Sequence, residues 1–113
     1  MQSKFEKMKL PSLITEFVNA SNNRDSNAVI ACFAENAIVH DEGQEMRGLS
    51  AIKEWSDKGF EKYQYVIEPI GIADTGERAV LTSTVSGSFP GSPVSLDFDF
   101  VIHQDRIVAL NIQ

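Results

Sequence analysis

The apolar pattern of this chain changes once, near residue 62, and that change limits the folds open to it. Before residue 62, apolar residues recur at the spacing of one helical face, and after it they alternate with polar residues, as in a strand with one buried side. The clearest examples are Leu10, Leu13, Ile14, Phe17 and Val18 in the first half and Leu96, Phe98, Phe100 and Ile102 in the second. A helical half followed by long antiparallel strands predicts an α+β fold with a curved sheet wrapped over helices.

Two helices are predicted before residue 36. The first begins near Pro11, which suits an initial helical turn, and is broken by the turn formers at 21–25. An earlier start remains open, because Ser3 and Glu6 have the spacing of a capping box. The second helix follows the turn and carries Phe33 on its apolar face.

The rest of the chain is predicted to be β, apart from a third helix. That helix begins at Gly48, after a short hairpin, and closes near Gly59. Tyr63 and Tyr65 alternate on the first of four long strands and would therefore share one face. The predicted strands, including the short hairpin, span residues 37–41, 45–47, 63–73, 78–89, 94–103 and 106–112.

Length and charge exclude several classes of protein. A chain of 113 residues suits a single domain, 1–113. The net charge of −6 and the lack of a Lys/Arg cluster argue against a nucleic-acid partner. No apolar run suits a membrane span or a secretory signal, and the one cysteine, Cys32, fits a reducing compartment. We therefore expect a cytoplasmic protein without a membrane partner.

Three segments resemble the SnoaL-like, or nuclear transport factor 2-like, superfamily. The most telling is VIACFAENAIVHDEGQEMRGLSAIKEW, from Val29 to Trp55. The late segments SGSFPGSPVSLDFDF and HQDRIVALNI are similar to this family as well. The resemblance covers nearly the whole chain, but it does not fix a reaction, because the fold hosts isomerases, cyclases, dehydratases, hydrolases and non-catalytic modules.

The resemblance implies a cystatin-like cone. Three helices would pack in the concave side of a strongly curved, mostly antiparallel sheet and leave an apolar pocket for a small apolar molecule, with no cofactor. Members of the family commonly form homodimers through the outer face of the sheet. Candidates for that outer face are Thr82, Thr84, Ser86, Asp97 and Asp99, which would otherwise face water.

Asp41 is the leading candidate for a catalytic group. The resemblance aligns it with the general base of the ketosteroid isomerase-like relatives, in which a carboxylate moves a proton beside a carbonyl group. The alternative is a structural Asp that bonds the Gly43 backbone in a turn. Arg47 could pair with Asp41 or Glu42 across the hairpin, which would lower the pKa of Asp41 and weaken a role as base.

His40 is the alternative acid or base. It should point to the side of the strand opposite Asp41, so it would act only if it, and not Asp41, faced the pocket. His103 lies near a hairpin turn. Two histidines without a nearby second ligand make a poor metal site, so none is predicted.

The partners of an isomerase-type base are missing at the positions that the resemblance indicates. The tyrosine of the isomerase oxyanion hole aligns with Phe17, and its protonated acid aligns with Phe98. A register shift of one residue would present Asp97 or Asp99 instead. Without such donors, the negative charge of the transition state lacks support.

Aromatic side chains are candidates for a ligand-binding wall, with core packing as the alternative. Either Tyr63 or Tyr65 could also donate a hydrogen bond to a ligand. The ligand-binding set predicted here is Phe17, Phe33, Trp55, Tyr63, Phe98 and Phe100.

Two functions follow from these residues. The first is a cofactor-free isomerase, cyclase or hydratase that acts on a small carbonyl compound by proton transfer at Asp41. The second is a non-catalytic module of the same fold for small-molecule binding or dimerisation, which the missing oxyanion donors favour.

Overall fold

Residues 9–113 form a six-stranded sheet with helices against one side in the computed structural model, which describes that part of the chain. The elements are α1 (Ser12–Asn22), α2 (Ser26–Ala31), β1 (Phe33–Asp41), β2 (Gln44–Arg47), α3 (Leu49–Tyr63), β3 (Val66–Asp74), β4 (Arg78–Ser86), β5 (Val94–His103) and β6 (Arg106–Ile112). The strand order is β2-β1-β6-β5-β4-β3; β1 and β6 are parallel, and all other neighbours are antiparallel. The predicted α+β class is confirmed. Between residues 9 and 113, none of the helices is both long and apolar enough to cross a membrane.

Helix α1 packs four of the five residues of the predicted apolar stripe into the core; the fifth, Leu10, lies before the helix and is half-buried. The buried side chains of the helix include Leu13, Ile14, Phe17 and Val18. Pro11 occupies the N-cap position, and its carbonyl accepts a hydrogen bond from the Thr15 backbone at 3.0 Å. The alternative start at Ser3 and Glu6 lies outside the described residues.

The boundary between α2 and β1 corrects the sequence-based prediction. The Asp25 side chain caps α2 by accepting a hydrogen bond from the Ala28 backbone at 3.1 Å. The helix ends at Ala31, so Phe33 is the first residue of β1 and not part of the helical face. Phe33 pairs with Ile107 of β6, and a register shift separates this pair from the regular pairing that follows. A partner strand far along the chain thus decides where the helix stops.

Helix α3 continues four residues beyond its predicted end at Gly59, to Tyr63. Gln64 then adopts a left-handed conformation (φ 49°), and its N–H bonds the carbonyl of Phe60 at 3.0 Å, which closes the helix. Strand β3 consequently begins at Val66. Tyr63 and Tyr65 therefore do not share a strand face, since Tyr63 is the last residue of α3.

Residues 87–89, predicted as the last part of β4, belong instead to a loop of residues 87–93. Strand β4 stops at Ser86, because Gly87 lies directly against the end of α3. A Cβ atom on Gly87 would lie 2.6 Å from the carbonyl oxygen of Tyr63, and the Ser88 backbone N–H donates to the same oxygen at 2.6 Å. This contact fixes the loop against the helix and places Phe89 edge-on to the Tyr63 ring, with centroids 5.9 Å apart.

The register of β5 follows its apolar alternation. Phe98 and Phe100 are buried on the inner side. Asp97 accepts a hydrogen bond from Thr82 at 3.0 Å, and Asp99 forms a bidentate pair with Arg78 at 2.6 and 3.0 Å. Both aspartates therefore belong to the outer side, so the one-residue shift that would present them inward does not occur.

The outer edge of β3 is closed by a side chain. The Asn22 amide donates to the carbonyl of Ile67 at 2.9 Å and accepts from the Ile67 N–H at 2.8 Å. These two bonds reproduce the pairing that another strand would offer, so α1 protects an exposed sheet edge.

Candidate functional site

A cleft of about 950 Å³ opens between α3, the β1–β2 hairpin and the loop of residues 87–93. Apolar side chains from α1 and the sheet line it, among them Phe17, Met46, Val85, Leu96 and Phe98. Charged side chains of the hairpin and α3 line it as well: Glu42, Glu45, Glu54, Lys58 and Lys62. Its volume lies within the range of small-molecule sites, roughly 300–1,000 Å³.

Asp41 is the half-buried carboxylate of this cleft, at the end of β1. The indole N–H of Trp55, on α3, donates a hydrogen bond to Oδ2 at 3.0 Å. Burial raises the pKa of Asp41 above its ordinary value; the Trp55 hydrogen bond opposes this rise, the charge of Glu42 adds to it, and the Glu42 backbone opposes it. A carboxylate in these surroundings is a stronger base than one in water, because its raised pKa lies closer to neutral pH.

The side chains of His40 and Arg47 in the hairpin contact Glu45 and not Asp41. Arg47 contacts Glu45, so the predicted pairing of Arg47 with Asp41 or Glu42 is wrong. The reason is the strand register: Asp41 lies opposite Gln44, whereas Arg47 lies opposite Ile38. No arginine therefore lowers the pKa of Asp41 through this hairpin within the described residues.

His40 points away from Asp41, as alternation along β1 predicts. It is exposed, and its Nε2 lies 3.0 Å from Oε1 of Glu45, its neighbour across the hairpin. Of the two catalytic candidates, the structure brings Asp41 and not His40 to the cleft.

Four of the predicted ligand-binding aromatic residues line the cleft: Phe17, Trp55, Tyr63 and Phe98. Phe17 and Phe98 contact each other edge-on, with centroids 6.3 Å apart. Both present rings where the isomerase-like resemblance would place hydrogen-bond donors, so the cleft has apolar groups at these positions.

Phe33 and Phe100 do not line the cleft, which corrects their predicted role. They are 3% and 0% exposed and lie behind Phe17, with ring centroids 6.1 and 5.3 Å from it. Phe33 is too close to the start of β1, and Phe100 too far along β5, to reach the opening. Their packing holds the Phe17 ring in the cleft wall.

Two phenols line the cleft in different settings. The Tyr63 hydroxyl donates to Glu42 Oε1 at 3.1 Å, and Lys62 Nζ lies 5.1 Å from the Tyr63 ring centroid. Tyr65 is buried more deeply, and its pKa is raised by burial and by the nearby Asp41 charge, with Ser21 opposing. Sequence reasoning considered Tyr65 only as an alternative to Tyr63, because it assigned both to one strand.

No three His, Cys, Asp or Glu side chains come together as a possible metal site between residues 9 and 113. Cys32 is buried, and burial raises the pKa of its thiol to about 11. His103 is exposed at the end of β5. The ionisable groups that do line the cleft are carboxylates, lysines and phenols.

The arrangement of three helices against a six-stranded sheet is the fold of solved proteins described as nuclear transport factor 2-like and as having a cystatin fold. The family model of the SnoaL-like domain matches residues 14–108, and the chain belongs to this family.

Solved structures agree with this assignment. The chain is similar to a candidate polyketide cyclase from Sinorhizobium meliloti, with 38% identity over 92% of this chain and 95% of that one and a TM-score of 0.89. A candidate polyketide cyclase from Pseudomonas putida shows 22% identity over 89% and 87% of the two chains, with a TM-score of 0.78. A Catenulispora acidiphila protein with a ketosteroid isomerase-like fold, in complex with trimethylamine, shows 16% identity over 93% and 86%, with a TM-score of 0.83. No curated protein matches the chain.

Proposed function

We propose that this chain is a cofactor-free catalyst of the isomerase or cyclase type, which moves a proton on a small, largely apolar carbonyl compound with Asp41 as acid and base. The observation that supports this most is the half-buried Asp41 carboxylate, held by Trp55 in a ligand-sized cleft with apolar walls. The similarity to a candidate polyketide cyclase at 38% identity points to the same kind of chemistry.

The surroundings of Asp41 suit proton transfer in three ways. Because burial raises its pKa, the carboxylate gains more from accepting a proton than an exposed aspartate does. The hydrogen bond from Trp55 fixes the carboxyl group through Oδ2, so the other oxygen has a defined direction. Apolar walls limit competition from water for that oxygen.

Proton exchange on a model ketone tests this role. The probe is 2-tetralone in D₂O, with deuterium uptake at its α carbons followed by NMR. We expect Asp41→Asn to lower the protein-dependent rate by at least about 100-fold, the contribution of a well-placed general base. Asp97→Asn is the matched control, because it makes the same chemical change on the outer side of the sheet. A folded Asp41→Asn protein with the parent rate would remove Asp41 from the mechanism.

A binding module without catalysis is the alternative, favoured by the two phenylalanine rings that replace oxyanion donors. In that case Asp41→Asn leaves ligand affinity unchanged, whereas a substitution that alters the cavity at Phe17 or Trp55 lowers it. Native mass spectrometry of the purified protein would show a retained small molecule, whose affinity can then be compared among these variants. A strong effect of Asp41→Asn on binding would contradict this alternative.

We also propose a homodimer through the outer face of the sheet. Val66 and Val101 leave 45% and 38% of their surface exposed there, and Ile70 at the edge of β3 leaves 47%. Polar side chains such as Thr82 lie between them on the same face. We expect native mass spectrometry to detect a dimer that Val101→Lys dissociates; a monomer at micromolar concentration would contradict it.

A further inference from the structure

We propose, resting on the proton-transfer role of Asp41, that the Tyr65 hydroxyl donates a hydrogen bond to the carbonyl oxygen of the substrate. Asp41 ends β1 and Tyr65 precedes β3, so the two come from opposite halves of the sheet. Both side chains nevertheless line the same cleft. A base and a hydrogen-bond donor in one cleft are the two groups that removal of a proton beside a carbonyl needs.

The position of Tyr65 is built into the fold. Its ring packs on Phe60, with centroids 5.6 Å apart, and a Cβ atom on Gly59 would already lie 3.4 Å from the ring. On the other side, a Cβ atom on Gly87 would lie 3.0 Å from the Tyr65 Cα. The left-handed turn at Gln64 sets the direction in which the chain leaves α3. The phenol is therefore preorganised, as an oxyanion donor must be.

The protonation state of Tyr65 suits a donor. Burial and the nearby charge of Asp41 both raise the pKa of the phenol and outweigh the opposing hydrogen bond with the Ser21 side chain, so the phenol keeps its proton at neutral pH. When Asp41 takes a proton from the substrate, the negative charge moves to the substrate oxygen. The phenol can then stabilise that new charge by a charge-assisted hydrogen bond.

Other candidates for this role are less suitable. Phe17 and Phe98 have no donor, although the resemblance to isomerases places donors at their positions. The Tyr63 hydroxyl already donates to Glu42 at 3.1 Å, close to the hairpin turn. Tyr65, which lies just before β3, thus supplies the hydrogen-bond donor that α1 and β5 lack in this chain.

The pair defines a substrate class, namely compounds with a C–H bond next to a ketone or ester carbonyl. Asp41 accepts the proton, the C–H electron pair forms a C=C bond, and the C=O π pair moves to the oxygen bonded by Tyr65. If the substrate also has a C=C bond next to the α carbon, the product is a dienolate, which regains the proton at the γ carbon in an isomerisation. If the substrate instead has a second carbonyl group, the enolate carbon attacks that group. In the second case a C–C bond forms, and Asp41 returns its proton to the new alkoxide. Neither route needs an oxidant, a reductant or a second reactant.

Binding of 4-nitrophenol tests the donor without any turnover. Its ionised form resembles an enolate and is yellow, so the bound and ionised fractions can be read by absorbance. The background is Asp41→Asn, which represents the neutral, proton-bearing state of that residue. We expect Tyr65→Phe to weaken binding of the phenolate by about 10- to 100-fold, the effect of one hydrogen bond to a charged group.

Ser83→Ala is the matched control, because it also removes one buried hydroxyl from the inner side of the sheet, at a position outside the cleft lining. It should change the affinity by less than about twofold. An affinity of Tyr65→Phe within twofold of its parent would overturn the proposal, as would a larger loss in Tyr63→Phe. The absence of any 4-nitrophenol binding to the Asp41→Asn protein would overturn it as well.

The exchange assay separates this proposal from the proposed function. If Asp41→Asn abolishes exchange on 2-tetralone and Tyr65→Phe leaves the rate unchanged, proton transfer stands and the role of Tyr65 fails. If phenolate binding depends on Tyr65 but the parent protein exchanges no proton, Tyr65 is a ligand-binding donor and the catalytic function fails.

Discussion

Gly87→Ala should destabilise the protein strongly, although Gly87 does not adopt a left-handed conformation. The added Cβ atom would lie 2.6 Å from the Tyr63 carbonyl oxygen, 3.0 Å from the Tyr65 Cα and 3.1 Å from the Phe89 ring. Two of these three neighbours are backbone atoms, which cannot turn away as a side chain can. The loop of residues 87–93 must therefore move off the end of α3.

The size of the effect follows from the contacts that such a movement breaks. Overpacking costs about 1–3 kcal/mol, and loss of the hydrogen bond from the Ser88 backbone to Tyr63 adds about 0.5–1.5 kcal/mol. We expect the free energy of unfolding to fall by about 2–4 kcal/mol, measured by urea denaturation and circular dichroism. Phenolate binding should weaken too, because Tyr65 would move with the chain.

Gly71→Ala is the control for this experiment. It also adds one methyl group to a glycine, here within strand β3, but no neighbouring atom lies within 4 Å of the new Cβ. Its free energy of unfolding should stay within about 0.5 kcal/mol of the parent value. If Gly87→Ala lost no more stability than Gly71→Ala, the close approach of the loop to α3 would be refuted.

Three further substitutions probe the site and the sheet edge. Trp55→Phe removes a hydrogen bond that lowers the pKa of Asp41, so the carboxyl titration seen by NMR should move to higher pH; an unchanged midpoint would contradict the contact. The folded state holds the Asp41 proton above the ordinary pKa of 3.8, so stability falls as the pH rises from 3.8 through the raised pKa. Asp41→Asn should therefore resist urea better than the parent at pH 7, with the difference vanishing below pH 3.8, and equal curves at pH 7 would count against burial of this charge. Asn22→Ala loses two hydrogen bonds to Ile67 and should cost about 2 kcal/mol in urea denaturation, whereas a loss below about 0.5 kcal/mol would show that the edge needs no cover.

The sequence predicts those parts of the fold that depend on which face of a single helix or strand is buried. The stripe of α1 and the alternation of β5 each predict which side faces the core, and Phe17, Phe98 and Phe100 are buried on those sides. The direction of Asp41 relative to His40 follows from the same alternation. Such patterns are readable because each depends only on the period of the local backbone.

The ends of elements could not be predicted because distant partners decide them. Phe33 enters β1 because Ile107 pairs with it, and β4 stops at Ser86 because Gly87 meets the carbonyl of Tyr63. Neither contact can be predicted from the residues next to it in the sequence.

The site depends on such contacts as well. The hydrogen bond from Trp55 to Asp41 joins α3 to β1, and the depth of Tyr65 depends on the left-handed conformation of a single residue, Gln64. Residues other than glycine rarely adopt this conformation, so the sequence does not predict it at a glutamine. The resemblance pointed to Asp41, and the sequence left Tyr63 and Tyr65 as alternative hydrogen-bond donors. The structure separates the two, because Tyr63 ends α3 and its hydroxyl donates to Glu42.

The placement of β6 has a consequence for how the protein is made. This strand comes last among the described elements, yet it lies between β1 and β5 and joins the half of the sheet that carries Asp41 to the half that follows Tyr65. A ribosome has therefore released both halves before residues 106–112 emerge, and until then β1 can pair only with the four-residue β2. Until residues 106–112 emerge, the nascent chain must avoid aggregation through the apolar faces of the two separate sheet halves. A chain stalled before residue 106 would contain both Asp41 and Tyr65. It would still lack β6, the strand that joins the two halves of the sheet on which the cleft depends.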